Sequence, residues 1–323
     1  MPKRSYGHSA LGINGGVNRG FLTFLFSDKD LNTQFLKGVG LIRSKVPCNT
    51  CGRDMTCCAD PTTTDCFRWR CRRKFAEAKC SQSKAIRHDS WFQQSKITFQ
   101  EVLYLTHDIV CREPAHLNQQ EYGFSSKTTA DCGMSCRETM LQYMEGCSEK
   151  IGGPNKTVEI DESMFGRRKY NGGHLVKGQW VFGGVECESD RTFLFPVPDR
   201  TAYSLMTGID AWMERGITVI SDCWAAYRDI DAQGYTHRTA NHSISFVNEE
   251  ADHTNTIESK WGNVKAFLKS YKRPDDYIYH FALYMFAARC KDEGVDQFTK
   301  FLHVVANTEW SSCAPAPPQG FET

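Results

Sequence analysis

After residue 157 the chain runs through a set succession of segments, and that succession restricts its fold more than any other feature. Residues 157–165, 179–186 and 191–197 are rich in β-branched and aromatic side chains. Turn-forming or polar stretches separate them, which is the pattern of an antiparallel meander. Residues 203–215 then carry helical periodicity, 217–221 form a short apolar strand, and 224–233 read as helical again. Two further helices are expected over 255–271 and 277–289. A β-β-β-α-β-α order belongs to an α/β domain of RNase H-like layout, a mixed five-stranded sheet with flanking helices.

The segment before it is of a different kind. Lys and Arg total 39 against 38 Asp and Glu, so the chain as a whole is nearly neutral. Residues 1–150, however, hold 21 basic and 15 acidic residues, and residues 151–323 hold 18 and 23. A net charge of +6 is followed by one of −5, so neutrality of the whole does not argue against a nucleic-acid partner. Hydrophobic and charged contents of 40% and 24% exclude a disordered chain. The apolar stretch Phe21–Phe26 is too short to span a bilayer and has no cleavage-site context, so neither a membrane protein nor a secreted one is expected.

Of 15 cysteines, seven crowd into positions 48–80: Cys48, Cys51, Cys57, Cys58, Cys66, Cys71 and Cys80. An odd total without a signal peptide suits free thiols better than a disulfide framework. Cys48-Asn-Thr-Cys51-Gly52 is a knuckle that lets two thiolates reach one tetrahedral zinc. Cys71 and Cys80 are the preferred second pair of a zinc-ribbon-like module, with Cys66 able to replace either. Free or redox-active thiols in a cysteine-rich loop are the alternative.

The spacing Ser27-Asp-Lys-Asp30 resembles a capping box, and Leu31, Phe35, Leu36 and Val39 recur with helical period, so a short helix is expected over 28–40. Beyond the knuckle lies the basic run Arg68-Trp-Arg70-Cys-Arg72-Arg73-Lys74. Nine basic and two acidic residues fall between Cys66 and Lys96. Basic side chains interleaved with Trp69, Phe75 and Trp91 suit phosphate contacts; a solvated charged face is the alternative. Residues 97–147 read as helices. Segments 117–122 and 127–144 flank Gly123-Phe-Ser-Ser126 as a helix-turn-helix would, with Lys127 where base contacts sit. A plain packing hairpin is the alternative. Gly152-Gly-Pro-Asn155 marks the expected boundary.

Three acids occupy distinctive places. Asp161 lies in the first strand, Asp222 ends the later strand, and Glu258 stands on a helix. In an RNase H-like sheet the first and later strands lie side by side at the centre. Two carboxylates there, met by a third from a packed helix, form a cluster whose repulsion divalent cations relieve. All-oxygen ligands favour magnesium or manganese, and two such ions suit phosphodiester cleavage. Glu162 rivals Asp161, but alternation along a strand sends neighbours to opposite faces. Ile257, Trp261, Val264 and Leu268 would pack on the sheet. Asn255, Glu258, Gly262 and Lys265 form another face, with Lys265 placed to meet a phosphate. His237, His242 and His253 could form a second metal site, touch DNA, or be partly buried. His253 and Asn255 are the expected supporting groups beside Glu258. Trp224 is expected to pack, with stacking on an unpaired base as the sharper alternative.

Glu159-Ile-Asp-Glu-Ser163, Lys169-Tyr-Asn171, Trp180-Val-Phe-Gly-Gly-Val-Glu186, Ser221-Asp-Cys-Trp-Ala-Ala-Tyr227, Gly234-Tyr-Thr-His237, Asn241-His-Ser243, Phe246-Val247 and His253-Thr-Asn-Thr-Ile-Glu258 together resemble Merlin-type transposases. These are eukaryotic relatives of bacterial insertion-sequence transposases with a DDE catalytic domain. The resemblance covers about residues 157–290, and extends more loosely to the cysteine module, Ser90-Trp-Phe92 and the helix-turn-helix region. At Asn171-Gly-Gly-His174 the family pattern has a basic residue in place of Gly172. The resemblance implies that Asp161, Asp222 and Glu258 are the DDE triad, binding two Mg²⁺ or Mn²⁺ ions. It also implies a nuclear enzyme that binds double-stranded DNA at its element's terminal inverted repeats, hydrolyses phosphodiester bonds there, and joins the freed 3′ hydroxyl to target DNA. Holding two ends together calls for a homo-oligomer. A transposase-derived DNA-binding protein without chemistry is the rival reading, and an RNase H-like nuclease acting on RNA is a third.

The expected organisation is a helical segment at 1–46, the zinc module at 47–96, the helix-turn-helix region at 97–150, the catalytic domain at 151–306, and a disordered tail at 307–323.

Overall fold

A computed structural model describes residues 16–75, 78–147, 150–166, 178–222, 225–240, 254–268 and 272–310. Lys169-Tyr-Asn171, Gly172, Trp224, Asn241-His-Ser243, Phe246-Val247, His253 and the Pro-rich stretch at 314–318 lie outside the described residues. By internal contact the chain divides into two compact units, Met1–Thr139 with Gly294–Thr323, and Met140–Glu293.

The first unit opens with α1 (Arg19–Leu25) and α2 (Lys29–Gly38). The cap of α2 is Asp28 rather than the expected Ser27: its carboxylate accepts from the N–H groups of Asp30 and Leu31. Strands β1 (Thr56–Ala59), β2 (Phe67–Cys71) and β5 (Gln82–Ala85) make a three-stranded antiparallel sheet. A small hairpin of β3 (Lys74–Phe75) and β4 (Ala78–Lys79) fills the interval between Cys71 and Cys80.

Then come α3 (Phe99–Cys111), α4 (Ala115–Tyr122) and α5 (Ser126–Gly146). A reciprocal capping box of Thr98 and Glu101 starts α3, satisfying two N–H groups that the helix cannot pair itself. Gly123, between α4 and α5, has φ +69°, a left-handed conformation that favours glycine. The expected helix–turn–helix succession is therefore present. Helix α5 runs across the division between the two units, whereas Gly152-Gly-Pro-Asn155 forms a turn inside the second one, with Gly152 and Gly153 at φ +103° and +137°.

The second unit holds β6 (Thr157–Phe165), β7 (Gln179–Glu186), β8 (Thr192–Val197), α6 (Ala202–Trp212), β9 (Thr218–Ser221), β10 (Thr236–Thr239), α7 (Asn255–Leu268) and α8 (Tyr277–Asp292). Its sheet has the order β10-β9-β6-β7-β8. The strands β6, β7 and β8 are antiparallel; β9 runs parallel to β6, and β10 parallel to β9. A meander whose first strand borders two further parallel strands is the RNase H-like layout.

Pro196 is tolerated because β8 is an edge strand and the ring costs the sheet no interior hydrogen bond. The helix expected over 224–233 is corrected to two single 3₁₀ turns, Ala225–Tyr227 and Asp231–Gln233. The chain there is closing onto β10, a strand that sequence periodicity did not locate.

Alternation along the strands splits the interior into two cores. Val158, Ile160, Phe182, Phe193 and Val219 pack with Leu205 and Ile209 of α6. Phe165, Val181, Val185 and Leu194 pack with Ile257, Trp261, Val264 and Leu268 of α7 and with α8. Gly208 lets α6 approach closely, since a Cβ there would stand 2.8 Å from the Phe182 ring. Helix α9 (Gln297–Asn307) is not among the helices expected from the sequence; its residues up to 306, placed by sequence with the catalytic domain, group with the first unit and pack on α3, where Phe298 meets the His107 ring edge-on.

Candidate active site and cysteine cluster

The cysteine cluster is built locally. Turn formation in Cys48-Asn-Thr-Cys51-Gly52 is closed by a Gly52 N–H to Cys48 carbonyl bond of 2.8 Å, and Gly52 adopts φ +69°. The β3–β4 hairpin returns Cys80 to Cys71, with the Cys80 N–H bonded to the Arg73 carbonyl. Cys48 and Cys80 sulfurs lie 3.2 Å apart, those of Cys51 and Cys71 3.7 Å apart, and all four fall within 4.8 Å of one another.

A tetrahedron with metal–sulfur bonds of ~2.3 Å has ~3.8 Å edges, so the four thiols fit one zinc ion. Cys66 is removed as a rival. Its sulfur accepts from Lys29 Nζ at 3.2 Å and stands apart from the quartet, because its own backbone turns at φ 61°.

The basic run beyond the knuckle is partly engaged at home. Arg68 and Arg70 both pair with Asp60, at 3.0 and 2.7 Å, and Arg73 donates to the Asp54 carbonyl. Trp69 between them is buried under the Lys37 ammonium. Arg72 and Lys74 are exposed, as is Lys127 in the first turn of α5, where Ser125 accepts from the Thr128 N–H. Arg87, counted with the basic residues, is instead buried against Asp65 and the carbonyls of Ser95 and Ile97.

In the second unit the parallel register pairs Glu159 with Ile220. Strand β9 ends at Ser221, and Asp222 follows it directly, near enough to Asp161 for its charge to act on that carboxyl. Burial pushes the Asp161 carboxyl up to about 6, with the Trp261 and Glu162 N–H groups opposing the shift and the charges of Glu162 and Asp222 adding to it. This crowding of negative charge around oxygen donors fits a hard divalent cation.

Glu162 itself points the other way, as alternation predicts. Its carboxylate takes Arg200 Nε and Nη2 on one oxygen and the Tyr227 hydroxyl on the other, and Arg200 lies over the Trp180 ring. Its charge is thereby balanced on the far face of the sheet.

Glu258 stands exposed in the first turn of α7, with the Thr254 hydroxyl 3.5 Å from its Oε1. Asn255 is exposed at the start of the same helix. The three acids are not gathered as tightly as the cysteines: among the described residues only the quartet has three or more possible metal ligands within 4.8 Å. Lys265 donates to Ser163 Oγ at 2.7 Å beside the Phe165 ring, and burial lowers its ammonium while Asp161 pulls it back up. His237 is partly buried, its Nε2 2.8 Å from Ser221 Oγ, and burial lowers its imidazole.

Sequence reasoning missed Glu159. It is wholly buried, and it accepts from the Ile257 N–H at 2.9 Å and from the Thr256 hydroxyl at 2.7 Å. A strand carboxylate thus caps the first turn of the helix that carries Glu258. Its place two residues before Asp161, on the same strand face, was the available signal.

Comparison with known proteins gives three results. Residues 151–286 match the model of the ISXO2-like transposase domain. No curated protein matches the chain. Among solved structures, the chain is similar to the HTLV-2 integrase catalytic core domain in complex with magnesium, at 16% identity over 41% of this chain and 86% of that one, with a TM-score of 0.29.

It is also similar to the BIV integrase catalytic core domain, at 13% identity over 46% and 80% with a TM-score of 0.26. A third likeness is to a simian T-cell lymphotropic virus intasome in complex with PP2A regulatory subunit B56 gamma, at 15% identity over 56% and 68% with a TM-score of 0.30. At such scores the strand order, not superposition, identifies the layout. The segment that carries Asp161, Asp222 and Glu258 is therefore the one that matches a DDE transposase family, and it has the RNase H-like fold.

Proposed function

We propose that the chain is a Merlin-type DNA transposase that cuts and joins DNA ends, acting in the nucleus on its element's terminal inverted repeats and on target DNA. The observation that carries this reading is Asp222, directly after the end of β9, close enough to Asp161 on β6 for its charge to raise that carboxyl, inside the segment that matches the transposase family. Asp161, Asp222 and Glu258 would hold two Mg²⁺ or Mn²⁺ ions. When bound, such ions lower the pKa of the attacking water or hydroxyl and stabilise the leaving oxygen.

The chain's own groups do the positioning. Glu159 ties the helix bearing Glu258 to the strand bearing Asp161, and Lys265, which donates to Ser163, would meet a phosphate. Hydrolysis and strand transfer would share this site. The cysteine quartet would hold a structural zinc. Arg68, Arg70, Arg72, Arg73, Lys74 and Lys127 would meet the DNA, with Arg72, Lys74 and Lys127 the most accessible of them. Two copies or more would assemble on paired ends. No helix among the described residues is long and apolar enough to cross a membrane.

The test is a manganese-dependent strand-transfer assay on DNA from either side of the coding region. Wild-type protein should cleave and join, and Asp222→Asn should lose more activity than the roughly 10–100-fold that loss of a supporting partner costs. Cleavage by Asp222→Asn at the wild-type rate sinks the catalytic assignment. DNA binding without cleavage by the wild type leaves a DNA-binding protein without chemistry, and RNA cleavage without transfer leaves a nuclease.

A further inference from the structure

Helix α7 and strand β6 meet through a ladder whose spacing follows from elementary geometry. Alternate strand residues are about 6.7 Å apart, and four helical residues advance about 6.0 Å. Helix positions four apart can therefore meet strand positions two apart, one for one. The Ile257 N–H bonds Glu159, Trp261 Nε1 bonds Asp161 Oδ2 at 2.9 Å, and Lys265 Nζ bonds Ser163.

The middle rung is the most rigid. The Trp261 ring is buried and meets Phe165 edge-on. It lies where Gly183, the cross-strand neighbour of Asp161, has no side chain; a Cβ there would stand 2.6 Å from the indole. The indole is therefore packed in place and its N–H stays directed at Asp161.

We infer that Trp261 is a positioning residue for Asp161: its N–H engages Oδ2 and, with the Glu162 N–H as a second donor to the carboxylate, restricts its rotation, so that Oδ1 is the oxygen offered first to a divalent cation. A carboxylate held this way binds end-on through one oxygen and leaves the rest of the coordination shell to Asp222, Glu258, water and phosphate. The inference rests on the metal-dependent reading proposed above. It adds to that reading a residue outside the acidic triad whose only polar atom sets the geometry of one ligand.

The test titrates Mn²⁺ into the zinc-loaded full chain and reads free Mn²⁺ by electron paramagnetic resonance. Trp261→Phe deletes the N–H together with the part of the indole that lies against Gly183, so a packing control is read beside it. The Mn²⁺ affinity of Trp261→Phe should fall at least ~10-fold, the lower range for an outer-shell partner. Phe165→Leu, which loosens the same packing but keeps the N–H, should stay near wild type. Asp161→Asn should abolish binding at that site.

Trp261→Phe binding within twofold of wild type, with Asp161→Asn abolishing binding, overturns the positioning role and leaves the metal site standing. Wild-type binding by Asp161→Asn removes the metal reading itself, and the positioning role with it. Equal losses in Trp261→Phe and Phe165→Leu reduce Trp261 to packing and also overturn the inference. If Trp261→Phe does not fold, the indole N–H signals of the seven tryptophans decide in nuclear magnetic resonance spectra. Asp161→Asn should move one of them strongly, and no movement overturns the inference.

Discussion

The cysteine quartet and the acidic triad are both candidate metal centres, yet they are assembled in different ways. The quartet draws its ligands from 33 consecutive residues, 48–80, and its sulfurs converge within 4.8 Å. The triad spans positions 161–258, and its members come from a strand, the residue after a second strand, and a helix. Thiols can approach one another as neutral groups, so a tight turn and a hairpin are enough to gather them. Carboxylates at neutral pH repel, and the fold brings the Asp222 charge to bear on Asp161 while leaving Glu258 exposed on its helix turn. One site is preassembled by local chain geometry; the other is poised by tertiary structure, its repulsion still to be relieved.

The largest effect that tests this contrast lies in the quartet. Structural zinc contributes roughly 10–16 kcal/mol in small zinc modules, so Cys71→Ser or strong chelation should unfold residues 47–96. Protease digestion should then cut within the module while the segment 151–286 resists. Equal protection of the module with and without zinc would break the comparison.

A smaller effect separates Glu162 from its neighbour. Breaking a buried ion pair costs about 3–5 kcal/mol, and the Glu162 carboxylate is fully buried against Arg200. Arg200→Ala should lower stability to chemical denaturation by about that amount and leave Mn²⁺ affinity little changed. A large change in Mn²⁺ affinity would place Glu162 in the metal site.

The smallest effect is the pH dependence of Asp161. Its carboxyl is raised to about 6 in the folded chain from an ordinary 3.8. The folded state therefore holds its proton longer than the unfolded state does, and stability is lost as pH rises from 4 through 6. Asp161→Asn should be more stable than wild type by on the order of 2–3 kcal/mol at pH 7.5 without added Mg²⁺ or Mn²⁺. It should show little difference at pH 4, and added Mn²⁺ should narrow the gap at pH 7.5 by stabilising only the wild type. A gap that does not vary with pH would mean that burial and the neighbouring charges do not raise the Asp161 carboxyl.

Much of the fold was legible in local pattern. β-Branched and aromatic residues between turn-forming segments placed β6, β7 and β8, a short apolar run placed β9, and helical period placed α6, α7 and α8. Strand β10 was not legible: Thr236-His-Arg-Thr239 is polar and only partly buried, at the sheet edge beside β9. The stretch before it was misread as helix because Trp224, Tyr227 and Ile230 fall at helical spacing, although Tyr227 and Ile230 are buried from separate tight turns. Helix α9 was not located from the sequence, and no local signal says which unit such a helix will cover.

The sequence by itself determined the strand meander, the helices that follow it and the Cys48-Asn-Thr-Cys51 knuckle, and it named the three acids as candidates, since strand composition and knuckle spacing are properties of neighbouring residues. Only the tertiary structure decided that Glu159 caps α7, that Trp261 holds Asp161 in the space left by Gly183, and that Arg200 and Tyr227 neutralise Glu162. Each of those contacts joins residues from 38 to 100 positions apart. The packing of a helix and a loop against a sheet brings them within hydrogen-bond range, and local periodicity cannot specify that.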